Sequence, residues 1–124
     1  MSLKFQELLG YKKSFDLAMY IFEISRKFPK EEKYSLTDQI RRSSRSVCAA
    51  IAESYGKRRY PKHYVSKLTD ADSENLETQT WVQFALTCNY ITKIEHNELL
   101  IKSEEVGKLL NYMMNHPEKF GVTS

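Results

Sequence analysis

The chain has 124 residues, 41% hydrophobic and 28% charged, with four Gly, three Pro and two Cys. That length suits one domain with a core of its own, and the composition excludes a disordered, collagen-like or disulfide-stapled chain. The net charge of +3 hides an asymmetry: residues 1–67 hold 15 Lys and Arg against 7 Asp and Glu, and residues 68–124 hold 4 against 9, or +8 against −5.

Gly and Pro are scarce enough to divide the chain into four helical pieces. The first, about 11–28, repeats Tyr11, Phe15, Ala18 and Phe22 at helical spacing, with Leu17, Ile21, Ile24 and Phe28 widening the stripe to a stop at Pro29. The second, about 36–55, starts after Ser35, whose hydroxyl is placed to cap the Asp38 amide. It runs through Leu36, Ile40, Ser43, Val47 and Ile51 to Gly56, a face of mostly small side chains. The third, about 61–91, opens with Pro61 in its first turn, where a missing amide hydrogen costs nothing. Its length corresponds to about 45 Å of helix. The fourth, about 93–115, begins with the T-x-x-E capping box Thr92 to Glu95 and carries Leu99, Val106, Leu110 and Met113 on one face. Residues 117–124 read as a loose tail. No strand-period segment or internal repeat is present. The fold expected is all-α, an up-down-up-down antiparallel four-helix bundle in a single domain spanning 1–124.

The third helix carries more apolar surface than one core needs. Leu68, Ala71, Asn75, Thr78, Val82, Ala85 and Asn89 form one stripe, while Trp81, Phe84, Cys88 and Ile91 lie on another; Val82 and Phe84 point about 200° apart. The second stripe is aromatic and contiguous, so it is expected to form an oligomer interface, against the alternative that Trp81 and Phe84 only widen the core or sit singly exposed.

Cys48 and Cys88, forty residues apart, make neither a disulfide framework nor a zinc motif, and a reducing cytoplasmic setting is expected. No apolar run reaches the roughly 18 residues that span a bilayer, and Met1-Ser2-Leu3-Lys4 does not begin a signal-peptide pattern. The di-iron centre common in bundles needs Glu-x-x-His pairs, but Tyr60, Lys93 and Met113 stand three residues before His63, His96 and His116. No metal, no cofactor and no catalytic set is therefore expected. Phosphate loops and triad spacings are missing as well.

Two charged groups carry the asymmetry. Arg41, Arg42, Arg45 and Glu53 on the second helix face a third helix bearing Asp70, Asp72, Glu74 and Glu77. Paired carboxylates can run acid–base chemistry when their environments separate their pKa values, but charge pairing between adjacent helices accounts for these residues more simply. Structural ion pairs are the expectation, with a hydrolase using Asp72, Glu74 and Glu77 trailing. The other group is Lys57-Arg58-Arg59-Tyr60-Pro61-Lys62-His63-Tyr64, with Lys67 one turn on. Cations attract phosphates and an interleaved tyrosine offers a stacking plane, so Lys57, Arg58, Arg59, Tyr60, Lys62, His63 and Lys67 are candidate nucleic-acid contacts. An ordinary solvated loop is the alternative. No base-reading motif accompanies them.

The run Gln39-Ile40-Arg41-Arg42-Ser43-Ser44-Arg45-Ser46-Val47-Cys48-Ala49-Ala50-Ile51-Ala52-Glu53 resembles the signature of the four-helix-bundle proteins encoded in intervening sequences of bacterial 23S ribosomal RNA genes. Phe28-Pro29 with Glu32, Tyr34 and Leu36 precede it. Ala71, Ser73, Glu74 and Leu76-Glu77, then Asn89-Tyr90-Ile91, extend the likeness along nearly the whole chain. Ala50 and Ser54 stand where the family pattern usually has Asn and Gly. The family is similar to the accessory variability protein of diversity-generating retroelements, a basic pentameric barrel that associates with nucleic acid and a reverse transcriptase. The resemblance implies a non-enzymatic homo-oligomer, a pentamer, with RNA or DNA as partner and no membrane. A module that binds another protein and no nucleic acid is the alternative.

Overall fold

The computed structural model describes residues 4–123. Among these residues there are four α-helices and no strand: α1 (Leu9–Ser25), α2 (Leu36–Gly56), α3 (Pro61–Thr87) and α4 (Lys93–Asn115). Single 3₁₀ turns lie at Phe5–Glu7, Lys30–Glu32 and Pro117–Phe120. Each helix packs on its neighbour in sequence and α4 closes the ring on α1, the antiparallel bundle expected. The expectation for Met1–Leu3 lies outside the described residues.

The most extensive packing joins α2 to α3. Ser43, Val47, Ala50, Ile51 and Ser54 meet Leu68, Ala71, Thr78, Val82 and Ala85, all buried. Side chains this small let two helices approach closely, and each buried hydroxyl is satisfied. Ser43 and Thr78 share a 2.8 Å hydrogen bond, and the Ser54 hydroxyl donates to the Ile51 carbonyl at 2.7 Å.

Several boundaries and faces differ from the sequence reading. α1 starts at Leu9, two residues early, and ends at Ser25, where the amides of Arg26, Lys27 and Phe28 turn to carbonyls three residues back at 3.1–3.3 Å. Pro29 imposes this tightening, since the residue before a proline is pushed out of the helical region. The inner face of α1 is Leu17, Ile21 and Ile24, whereas Phe15 is 48% exposed. At the start of α2 the cap is not Ser35. Its hydroxyl donates to Glu32 Oε1 at 2.7 Å, and the same oxygen accepts the Leu36 amide at 3.2 Å.

α3 stops at Thr87, four residues short of the expected 91. Asn89 adopts φ 61°, the left-handed conformation that ends helices. The Tyr90 amide then donates to the Ala85 carbonyl and the Asn89 amide to the Leu86 carbonyl, both at 2.9 Å. The capping box of α4 forms as read, with Glu95 N to Thr92 Oγ1 at 3.1 Å and Thr92 N to Glu95 Oε1 at 2.9 Å.

The tail is docked rather than loose as far as Thr123; Ser124 lies outside the described residues. Phe120 and Val122 pack on the core, Gly121 at φ 78° reverses the chain, and the Thr123 amide donates to the Arg58 carbonyl at 3.1 Å.

Candidate nucleic-acid interface

The joint between α2 and α3 is four residues long, Lys57 to Tyr60. The Lys57 amide closes on the Ser54 carbonyl at 2.9 Å, the Tyr60 amide closes on the Lys57 carbonyl at 2.8 Å, and Pro61 opens α3. Tyr64 anchors this turn from below. It is fully buried, its hydroxyl donates to the Met113 carbonyl at 3.2 Å, and burial pushes its pKa up to about 12. A joint held this rigidly sets where its exposed side chains project.

Lys57, Arg59, Tyr60, Lys62 and His63 are exposed, with the Tyr60 and His63 rings 5.8 Å apart. No carboxylate lies within ion-pair distance of Lys57, Arg59 or Lys62 among the described residues. The other two candidates are engaged elsewhere. Arg58 lies across the Tyr55 ring at 3.6 Å, donates from Nε to the Tyr55 carbonyl at 2.8 Å and sits beneath Gly121. Lys67 pairs with Glu53 at 3.1 Å and Asp70 at 3.9 Å, which neutralises its charge.

The expected meeting of three arginines with the acidic third helix occurs at one point. Arg42 approaches Glu77 at 3.8 Å and also donates to Gln39 at 3.0 Å. Arg41 and Arg45 turn toward α1 instead. Arg41 Nε donates to Ser25 Oγ at 2.7 Å, and Arg41, Arg45 and Arg26 all lie over the Phe22 ring, at 4.7, 5.7 and 5.0 Å. Their positions on α2 lie on its α1 flank, so the helix's charge is divided between two neighbours. Glu53 belongs to the pairs by way of Lys67. Glu74 has no partner for its buried Oε2 among the described residues; burial first, and then the Glu77 carboxylate, hold its pKa above the ordinary 4.5.

Phe84 of α3 is 53% exposed and Cys88, the residue just past its end, is exposed, while Trp81 is half-buried against the core with its ring 5.8 Å from Phe84. A depression of about 600 Å³ lies between these side chains and Tyr34, Leu36 and Gln39 of the α2 entrance. Ile91 does not belong to this face. The left-handed turn at Asn89 sends it inward, where it is 6% exposed. Leu76, 55% exposed, lies outside the main stripe of α3 and Tyr34, 85% exposed, stands in the turn before α2, so helical periodicity singled out neither as a surface apolar site.

Cys48 is buried, with Sγ 3.1 Å from Ser14 Oγ, and burial pushes its thiol pKa up, so the nucleophilic thiolate is disfavoured. No three His, Cys, Asp or Glu side chains gather as metal ligands among the described residues, and no helix there is long and apolar enough to cross a membrane.

The model of a family described as the 23S rRNA-intervening sequence protein matches residues 6–112. Among solved structures, a Bacteroides thetaiotaomicron protein of unknown function from the S23 ribosomal protein family aligns with TM-score 0.78 and 27% identity, covering 86% of this chain and 96% of its own. No curated protein matches the chain.

Proposed function

This chain belongs to the 23S rRNA-intervening sequence protein family, and from that premise we propose that it is a non-enzymatic, self-associating cytoplasmic bundle that binds nucleic acid through the α2–α3 joint. The observation that carries the reading is the set Lys57, Arg59 and Lys62. All three are exposed beside the Tyr60–His63 ring pair and free of carboxylate partners among the described residues. Cations without internal partners are available to phosphate, and the neighbouring aromatic rings offer faces to unpaired bases.

Self-association is supported by the Trp81–Phe84 face, and a pentamer is the assembly the family resemblance favours. A closed ring would repeat the basic joint around one axis and sum its potential. The same apolar face supports the second reading, a module whose partner is another polypeptide.

Fluorescence-anisotropy titration of labelled RNA and DNA at two salt concentrations tests the first reading. Affinity should fall as salt rises, and replacing Lys57, Arg59 and Lys62 with Ala should flatten that dependence by about 0.7 in log–log slope per charge on a single strand. No binding at low salt, or binding indifferent to salt, would overturn it. A protein partner retained from nuclease-treated lysate, together with no oligonucleotide binding, would favour the second reading.

A further inference from the structure

The outer flank of α2 holds a second basic feature, separate from the joint. A groove of about 550 Å³ is walled by Lys33, Tyr34, Thr37, Arg41, Arg45 and Ser46. Arg45 precedes Lys57 by twelve residues, about 18 Å along a helix, so the groove and the joint are different surfaces.

Three properties of this groove bear on what it could bind. First, its cations are concentrated without internal neutralisation. Arg42 reaches Glu77, but among the described residues Arg41 and Arg45 have no carboxylate within 4 Å, and Asp38, which also lines the groove, makes no ion pair. Second, the cations are fixed in place. The Phe22 ring and Ser25 Oγ hold Arg41, and Arg45 and Arg26 crowd the same ring. Burial, and then the repulsion of Arg45 and Arg26, lower the Arg41 pKa, and an anion brought beside these guanidinium groups would offset that repulsion. Third, Tyr34 stands at the rim with 85% of its surface exposed and the Lys33 ammonium 5.3 Å from its ring. Thr37 also lines the wall, while the Ser46 hydroxyl is spent on the Arg42 carbonyl, to which it donates at 2.8 Å. Clustered guanidinium groups beside an exposed aromatic ring match the backbone and an unstacked base of a single strand.

We infer that the α2 groove is a binding site for single-stranded nucleic acid, with Arg41 and Arg45 on the phosphodiester backbone and Tyr34 stacking a base. This rests on the nucleic-acid reading above and moves its specificity for single strands from the joint to the groove.

The test compares three variants, Arg45→Ala, Tyr34→Ala and the joint triple K57A/R59A/K62A, in anisotropy titrations with a labelled single-stranded RNA and a labelled duplex DNA of equal length. Arg45 and Tyr34 are exposed, so each variant should keep its helices, which circular dichroism checks first. Tyr34→Ala should weaken the single strand about tenfold without changing the salt slope, because stacking releases no counterions. Arg45→Ala should weaken it several-fold and lower the slope by about 0.7. Duplex binding should be untouched by Tyr34→Ala. If the wild-type protein binds neither probe, the nucleic-acid reading itself fails and the groove with it. If it binds and only the joint triple weakens the single strand, the reading stands and the groove assignment is overturned. Loss of both probes alike in Arg45→Ala with Tyr34→Ala silent also overturns the single-strand assignment, as does displacement of the RNA from the wild type by equimolar inorganic pyrophosphate, which would mark a small-anion site.

Discussion

Asn75 of α3 and Ser103 of α4 bind each other twice inside the core. Asn75 Nδ2 donates to the Ser103 carbonyl at 2.9 Å, and Ser103 Oγ donates to Asn75 Oδ1 at 2.9 Å. Gln79 Nε2 adds a third bond to Ser103 Oγ at 2.8 Å. Both residues are 2% exposed. A pair this buried fixes the register of α3 against α4, since sliding either helix would strand several polar atoms away from water. Asn75→Leu should therefore lower stability by about 1–3 kcal/mol in urea unfolding, the cost of leaving a buried carbonyl and hydroxyl without their partner. A variant as stable as wild type would mean that water reaches this site.

Glu74 provides the opposite case. Its folded-state pKa lies above the ordinary carboxylate value, so the folded state holds the proton more tightly than the unfolded chain. The resulting stability is present below the unfolded pKa and is lost as pH rises through the folded one. Glu74→Gln should then raise stability at pH 7 by about 1 kcal/mol, with no gain near pH 3. Urea midpoints across that pH range check the sign.

Glu32 titrates in the other sense. Hydrogen bonds from Ser35 and Tyr90, and the Leu36 amide, hold its pKa low, and the Tyr90 hydroxyl at 2.8 Å ties the start of α2 to the α3–α4 turn. Its contribution is present above the unfolded pKa and disappears as pH falls through the folded one. Glu32→Ala should cost about 1 kcal/mol at pH 7, as loss of a helix cap does, and little at pH 3.

Asn89 sits where an ordinary side chain is strained. Asn89→Gly should leave stability unchanged or slightly raised, whereas Asn89→Val should cost at least about 1 kcal/mol, because a β-branched residue resists positive φ. Thermal unfolding of the two variants separates this backbone effect from any loss of side-chain contacts.

Self-association is expected through the Trp81–Phe84 face. Light scattering should report several times the 14.6 kDa chain mass, and Phe84→Glu should lower it. Phe84 is the better probe than Trp81, which also packs on the core. A monodisperse wild-type monomer would refute the interface.

The four helices, their order and the Thr92–Glu95 cap were legible because each rests on local chemistry: hydrophobic spacing, a proline in a first turn, a hydroxyl three residues before a carboxylate. The misread positions turned on competing interactions, near and far, that spacing alone does not rank. Ser35 looked like a cap for the Asp38 amide, but its hydroxyl donates to Glu32, which itself accepts the Leu36 amide. Ile91 matched the period of α3, but Asn89 had already ended that helix, and the tail was read as loose although Arg58 and the core hold it.

Charge followed the same division. That the first 67 residues carry +8 and the rest −5 is a property of composition, and so is the placing of arginines on α2 and carboxylates on α3. Which arginine meets which carboxylate is set by where each side chain stands around its helix relative to two flanking helices, and linear spacing does not encode that relation. Only the packed bundle turned Arg42 toward Glu77 and sent Arg41 and Arg45 to Phe22, leaving their charge unneutralised beside Tyr34.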